Sequence, residues 1–575
     1  MSDAAKYDYI IVGAGSAGCV LANRLTEDGS ARVLLLEAGG SDRHPYVQIP
    51  LGLGKLQQHK MFDWGYVSEP EPHLHGRRLE VVRGKVLGGS SSVNVMVYTR
   101  GHRGDFDRWA RMGATGWSYA DMLPYFKRSE AWEDGETSWR GGAGPLGTQW
   151  ARMRDPAVAA WFESARLAGW PMTADLNQPD AQGFGRAQFT IRDGRRASSA
   201  NAYLRPAMGR PNLTVRTGTT AVGIAMHGTR AAGVRILSDG NTEEIQAARE
   251  TILCAGVFGT PQLLMLSGIG PQAELRALGI TPLIDLPVGR NLRDHLAVVL
   301  LWARREPGPF QRLLRLDRMA LAMARAVVMR DGPATTLPLE CVGFVRTGAN
   351  QEAPNIEFLV GGARPQDARP WLPGRRPPQE FLGIRPVLLH PRSHGTVTLR
   401  SADPLAPVRI AFKFLSAAGD LSDLRDACRL ASDIAVQAPL NRFRADGLAP
   451  KSGADSDADI EDWIRATAIT VNHPSGTCAM GRGEDSVLNP DLTVRRTEGL
   501  RVVDASAFPD MLSAHINAAV MAVAERASDL ILGRQPLAPT TPEMAIGGLT
   551  AQATSGGHAG DPGGHLLLRR GGDPD

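Results

Sequence analysis

At 575 residues the chain is too long for one compact core, and two large domains are expected. Hydrophobic content of 43% and charge of 22% are ordinary for a globular enzyme, and a net charge of +4 argues against a dedicated nucleic-acid binder. Five scattered cysteines, none in a CxxC pair, fit reduced thiols and no metal site; no apolar run reaches eighteen residues, so no spanning helix is expected. The first strand starts near Tyr7, which leaves no room for a signal peptide and points to the cytoplasm.

Tyr9 to Val12 is a short aromatic and β-branched run that predicts a buried strand. Gly13, Gly15 and Gly18 follow at GxGxxG spacing, Ser16 to Leu25 has helical spacing, and Arg32 to Leu36 reads as a second strand. Gly13 suits the tight turn, Gly15 lets a pyrophosphate approach the backbone, and Gly18 lets helix and strand pack closely. Ser16 and Ala17 open the helix, whose free N–H groups face the phosphates. Glu37, nineteen residues past Gly18 and followed by Ala38, can accept the ribose hydroxyls. This predicts dinucleotide binding and leaves FAD and NAD both open.

Residues 41 to 80 suggest a long excursion over the first domain. In Arg83-Gly-Lys-Val86-Leu-Gly88-Gly89-Ser90-Ser91-Ser92-Val93-Asn94-Val95, glycines and serines offer a backbone surface suited to a flat, phosphate-bearing cofactor. Residues 101 to 190 carry seven tryptophans among Gly and Pro and read as irregular cover. Leu213–Thr217, Ala221–Met226, Gly233–Leu237 and Glu250–Cys254 predict a meander returning to the first sheet, and Cys254 to Pro271 turns from strand into helix, with Pro261 in its first turn.

Beyond His295 the character changes. Residues 312 to 330 predict one helix with Arg312, Arg315 and Arg318 opposite Leu313, Leu316 and Ala320, either a solvated basic face or a weak peripheral membrane contact. Cys341–Val345, Ile356–Val360, Ile384–Leu389 and Thr396–Leu399 predict an antiparallel sheet capping the cofactor. Residues 418 to 470 read as helical, Leu500–Val503 as a strand, Asn517 to Leu532 as a helix, and Pro536 to Asp575 as a disordered tail.

Two polar clusters stand near the C-terminus. In Asn472-His473-Pro474-Ser-Gly476 a stiff turn holds a histidine suited to take an alcohol proton, or to be a buried structural group. Val503-Asp504-Ala505-Ser506 ends a strand, and Ser513-Ala-His515-Ile-Asn517-Ala518 opens a helix whose donors face whatever lies beside it.

With these motifs in this order the chain resembles the glucose–methanol–choline (GMC) flavoprotein oxidoreductases, nearest in pattern to the choline and aliphatic alcohol dehydrogenase branch. The resemblance covers Tyr7 to Leu532 and rests on the GAGSAG loop with Glu37, RGKVLGGSSSVN, GVFGTPQLLMLSGIGP, NHPSGTCAMG and VVDAS…SAHINA. It implies an α/β, Rossmann-like FAD-binding domain of discontinuous segments (1–150, 191–300, 466–535), a substrate-side cover (151–190) and an α+β substrate domain with an antiparallel sheet (301–465). It implies FAD, and hydride transfer from an alcohol carbon to flavin N5. His473 matches the family's catalytic histidine and Asn517 the second active-site position. The positions expected around FAD are Gly13, Gly15, Ser16, Ala17, Gly18, Glu37, Ala38, Val86, Gly88, Ser91, Asn94, Val95, Val222, Asp504, Ala505, Asn517 and Ala518.

Departures from the family pattern carry their own expectations. Members with covalent FAD have His where this chain has Val93, so non-covalent FAD is expected. Val95 replaces a Gly or Ala and would intrude where substrate meets flavin. His515 stands where many relatives have Asn, as a second titrating group or a helix cap, and Ala519 where they have Pro. Glu340 matches a Glu of choline-type relatives and could pair with a cationic substrate. The expected activity is oxidation of a primary aliphatic, aryl or choline-like alcohol, with a quinone, another carrier or O₂ as acceptor. A hydroxynitrile lyase-type activity and a fatty-acid photodecarboxylase, for which Arg385, Cys341 and Cys428 come into question, are the alternatives on the same fold. Oligomeric state is not legible.

Overall fold

The computed structural model describes residues 7–348, 351–361, 369–450 and 456–541. Tyr7–Val12 forms the expected strand, parallel to Val33–Leu36 on one side and to the end of Asn241–Leu253 on the other. Leu213–Arg216 extends the parallel edge beside Val33–Leu36, and Leu500–Val502 pairs in parallel with Asn241–Leu253 from the far end of the chain. Strands covered on both faces need apolar residues at every position, and Ile10, Ile11, Val33 to Leu36, Ile252 and Leu253 are all buried. Asn241–Leu253 serves twice: its first half pairs antiparallel with Arg230–Ser238, which pairs with Thr220–His227 in the expected meander.

Chain ends close this layer. The helix Ser16–Leu25 packs against Asn517–Ile531. The buried Glu525 takes Arg24 at 2.9 Å and Arg128 at 2.7 Å, and Tyr203 donates to it at 2.8 Å. A buried carboxylate this well partnered fixes the geometry even where its net contribution to stability is small.

The second sheet is antiparallel, in the order Arg444–Ala449, Leu300–Arg304, Phe381–Leu388, Ile356–Gly361, Leu339–Val345, Gly183–Arg186. Leu296–Ala297 joins Phe381–Leu388 to Ile469–Thr470, which leads into the His473 turn. Its apolar residues belong in part to the same hydrophobic cluster as Tyr7–Val12, so the two sheets share a core.

Several expectations are corrected. Gly183–Arg186, expected within irregular cover, is the sheet's edge strand. Thr396–Thr398 leaves the sheet to pair with Arg409–Ala411. Between the helices Ala418–Ala435 and Asp457–Thr467, Arg444–Ala449 is a strand, because edge pairing with Leu300–Arg304 overrides local propensity. Pro261 lies inside the helix Gly256–Leu266 and not in its first turn. The Val257 carbonyl that its missing N–H leaves unpaired accepts the Thr477 hydroxyl at 2.8 Å instead.

The stretch from 312 to 330 splits into Pro309–Leu313 and Leu316–Val328, with Arg315 extended between them. That break rotates the second helix, so Leu316 and Ala320, expected on the packed side, face solvent. Leu537 donates its N–H to the Tyr125 hydroxyl and Thr540 to the Ala120 carbonyl, so the tail expected from Pro536 is docked at least to Thr540; residues 542 to 575 lie outside the described residues. Among the described residues no helix is long and apolar enough to cross a membrane.

Candidate active site

The first two glycine loops meet back to back. A Cβ on Gly13 would stand 2.4 Å from the Cys254 carbonyl oxygen, and one on Gly18 would stand 1.9 Å from that of Gly13. Gly15 faces open space, and a Cβ on Gly89 of the second loop would press to 2.7 Å on the Gly15 Cα. Two loops stripped of side chains thus wall a cavity of about 630 Å³, whose shape and exposed backbone N–H groups fit a dinucleotide. Glu37 stands at its rim, accepting the Ala14 N–H at 2.9 Å and the Gly39 N–H at 2.8 Å, and burial pushes its carboxyl up to about 7.

Asp504 closes the cavity from the C-terminal side. It accepts the Gly256 N–H at 2.9 Å, the Thr260 hydroxyl at 2.6 Å and the Ser506 N–H at 2.8 Å, tying the Leu500–Val502 strand end to the helix at Gly256. Asn517 opens the last helix and accepts the Ser16 hydroxyl on its Oδ1 at 2.7 Å.

His473 sits in a turn whose backbone is held from three sides. Asp294 accepts its N–H at 2.8 Å and the Thr470 hydroxyl, and the preceding Asn472, at φ +64°, accepts the Val82 N–H at 2.9 Å and the Arg83 guanidinium on its carbonyl. Burial pushes the Asp294 carboxyl up to about 7. On the ring, His473 Nδ1 lies 3.0 Å from His295 Nδ1, and His295 Nε2 lies 3.0 Å from the Leu512 carbonyl.

That chain assigns the tautomers. A carbonyl only accepts, so His295 Nε2 carries hydrogen. Burial, with His390 and His515 nearby, pushes His295 down to about 3, so it is neutral and its Nδ1 is an acceptor. His473 therefore donates from Nδ1 and keeps its lone pair on Nε2, which meets no protein partner among the described residues. Burial first, then His515, His295 and Arg83, holds His473 well below the ordinary histidine value of 6.5, so it is an unprotonated acceptor at neutral pH.

His515 stands beside it, ring centroids 4.8 Å apart at 79°, with Nε2 3.0 Å from the Glu357 carboxylate. His515, read from the sequence as a second titrating group or a helix cap, is thus a ring beside His473, while Asn517 lines the same cavity with its carbonyl oxygen on the Ser16 hydroxyl.

Of the expected positions, Gly13, Gly15, Ser16, Ala17, Glu37, Ala38, Asn94, Val95, His473, Asp504, Ala505, His515 and Asn517 line the cavity. Gly18, Val86, Gly88, Ser91, Val222 and Ala518 stand behind it. Ser91, for example, accepts the Ser199 N–H at 2.9 Å and donates to the Gly88 carbonyl at 2.6 Å, shaping the loop. Glu340 is not part of this cavity; its carboxylate accepts the Asp155 N–H at 3.0 Å. Sequence reading assigned no role to Arg83, Lys85, Trp64 and Tyr66 on the cavity wall, nor to His295 and Glu357 behind it. No local signal in the sequence singled out His295 or Glu357.

Comparison with known proteins agrees with this geometry. The chain matches the family models of GMC oxidoreductase, the N-terminal one over residues 7–297 and the C-terminal one over 391–524. It is 42% identical to the oxygen-dependent choline dehydrogenase of Photobacterium profundum over 93% of this chain and 94% of that one. With the enzyme of the same name from Vibrio vulnificus it is 41% identical, over 93% and 95%. Among solved structures, pyridoxine 4-oxidase from Mesorbium loti superposes with a TM-score of 0.81 at 31% identity, over 92% of this chain and all of that one. A formate oxidase superposes at 0.83 with 27% identity, over 93% and 99%.

Proposed function

Since the chain belongs to the GMC oxidoreductase family, we propose that it oxidises an uncharged primary alcohol to the aldehyde, with His473 as the base. FAD is its cofactor, and the glycine loops with Glu37, Asp504 and Asn517 are the residues that would hold it. Val93 lines the cavity where covalent relatives carry His, which supports non-covalent binding. Bound FAD supplies the acceptor for the hydride that leaves the carbinol carbon.

The observation that carries this reading is the His295–His473 chain, which leaves Nε2 of His473 as a fixed acceptor at the cofactor cavity. Negative charge building on the alcohol oxygen as hydride departs requires such an acceptor within hydrogen-bond reach. His473 Nε2 takes the hydroxyl proton, and the asymmetric chain behind it keeps the ring from presenting the wrong nitrogen. His515, its Nε2–H held by the Glu357 carboxylate, is the second ring at the cavity beside the base. Arg83 and Lys85 on the wall favour developing negative charge.

A choline-like substrate is the second reading, favoured by the names of the relatives. Against it, the carboxylate-bearing lining residues are Glu37 and Asp504, both engaged with backbone N–H groups, and Glu340 faces elsewhere. The photodecarboxylase reading finds no support in Cys341 or Cys428, neither of which lines the cavity. The test is anaerobic mixing of the holoenzyme with aliphatic, aryl and quaternary-ammonium alcohols while the flavin band is followed. Uncharged alcohols are expected to bleach it and choline not, with Glu340→Gln leaving KM within roughly twofold. Recovery of the band in air identifies O₂ as acceptor; its absence points to a quinone or another carrier. A flavin that no alcohol bleaches overturns the reading.

A further inference from the structure

The helix Leu316–Val328 presents its apolar side to water. Of its thirteen residues only Ala322 and Ala326 are buried, and they dock on Ile49, Leu313 and Ala334. The arc of Leu316, Ala320, Leu321, Ala324, Val327 and Val328 faces outward, interrupted at its N-terminal end by Asp317, whose carboxylate is paired with Arg315 at 2.7 Å. Leu321 is 71% exposed, Val328 80% and the adjoining Met329 65%. Leu372 extends the patch, since its neighbour Trp371 pairs with the backbone of Leu316. Single exposed leucines need no explanation, but a contiguous apolar face on a surface helix does.

Arginines rim this face. Among the described residues Arg312, Arg318 and Arg330 make no ion pair, and Arg195 donates to the Val327 carbonyl at 3.1 Å. Arg195 and Arg330 also line a second cavity of about 850 Å³, with Arg192 and Arg205 and a single acidic residue, Asp193. Arg205 is satisfied by Asp42 at 2.7 Å, whereas Arg195 and Arg330 have no carboxylate partner among the described residues. The C-terminal end of the apolar arc therefore opens on a basic hollow.

We propose that this face docks the chain on an anionic phospholipid surface. The apolar arc enters the boundary between headgroups and acyl chains, and Arg192, Arg195, Arg318 and Arg330 meet the lipid phosphates. Charge complementarity selects this occupant: a second copy would set one arginine rim against another. The helix rests on Ile49, and the chain running on from there reaches Gln57, which lines the cofactor cavity. The proposal involves no redox step and does not depend on which alcohol is oxidised.

Its test is co-sedimentation of the full-length holoprotein with vesicles of phosphatidylcholine alone and of phosphatidylcholine with phosphatidylglycerol, at low and high salt. Binding is expected to the anionic vesicles and to fall with salt. Leu321→Asp with Val328→Asp is expected to weaken it about tenfold or more while FAD content and turnover with a soluble dye stay unchanged. Arg318→Ala and Arg330→Ala each weaken it roughly fivefold at low salt. The proposal fails if the wild-type chain ignores anionic vesicles, or if the aspartate pair binds as wild type does. It fails equally if that pair converts a dimer to a monomer in light scattering, which assigns the face to a second copy.

Discussion

The glycine cradle and the histidine basin share one cavity but are built in opposite ways. From Gly13 to Glu37 the cradle is written in one unbroken stretch, and what makes it work is the absence of side chains: Gly13 and Gly18 leave no room for a Cβ, and Gly15 opens on the cavity. The basin gathers His295, Glu357, His473 and His515 from four separate stretches, and what makes it work is which nitrogen of each ring meets which partner. The cradle offers backbone N–H groups, whereas the basin presents an acceptor nitrogen at one atom, Nε2 of His473. Holding a cofactor takes backbone shape; choosing a reaction takes side chains whose protonation is fixed by burial.

Substitutions separate the two regions. The largest expected effect is on the basin: His473→Ala should slow reduction of the bound flavin by ~10²–10⁴-fold, read by stopped-flow absorbance, while FAD stays bound. A near-wild-type rate would mean that the base lies elsewhere. The complementary change in the cradle is Gly13→Ala, at φ +102° with a Cβ 2.4 Å from the Cys254 oxygen. It should yield folded protein whose FAD-to-protein ratio is about a tenth or less of wild type, since backbone and cofactor cannot both keep their places. Full FAD content there would break the contrast drawn above.

A smaller effect is expected one step behind the base. His295→Leu removes the acceptor for His473 Nδ1–H, so the two tautomers compete, and kcat should fall roughly tenfold with KM little changed. His295→Gln, whose amide oxygen can accept the same hydrogen, should recover part of the loss. The pH profile sharpens the same point. In the proposed role His473 acts as the neutral ring, and burial holds its protonation well below 6.5, so the acid limb of the reductive half-reaction should lie below that value; a limb above it would contradict that role.

The cradle was legible because its determinants are local: GxGxxG spacing after a β-branched run predicts turn, helix and acid in order, and each stands where expected. His473 was singled out by the family's motif, since its proline-stiffened turn fits a buried structural histidine as well. His295 was not, since a buried histidine after an aspartate looks like any core polar residue until its ring is seen at 3.0 Å from another. Glu340 lies outside the cavity for a related reason: it matches a motif position, but a side chain's direction depends on its neighbours, and the Asp155 N–H draws its carboxylate.

By itself the sequence determined the dinucleotide cradle and the capping antiparallel sheet, because these follow from glycine positions and from the period of apolar residues along single stretches; the discontinuous α/β layer was implied by the order of the family's motifs. Tertiary structure alone decided which ring nitrogen of His473 is free, that the rings of His295 and His515 both stand against it, and that the helix Leu316–Val328 turns its apolar arc outward. Each of these depends on partners tens to hundreds of residues away, and on a burial that only the assembled fold creates.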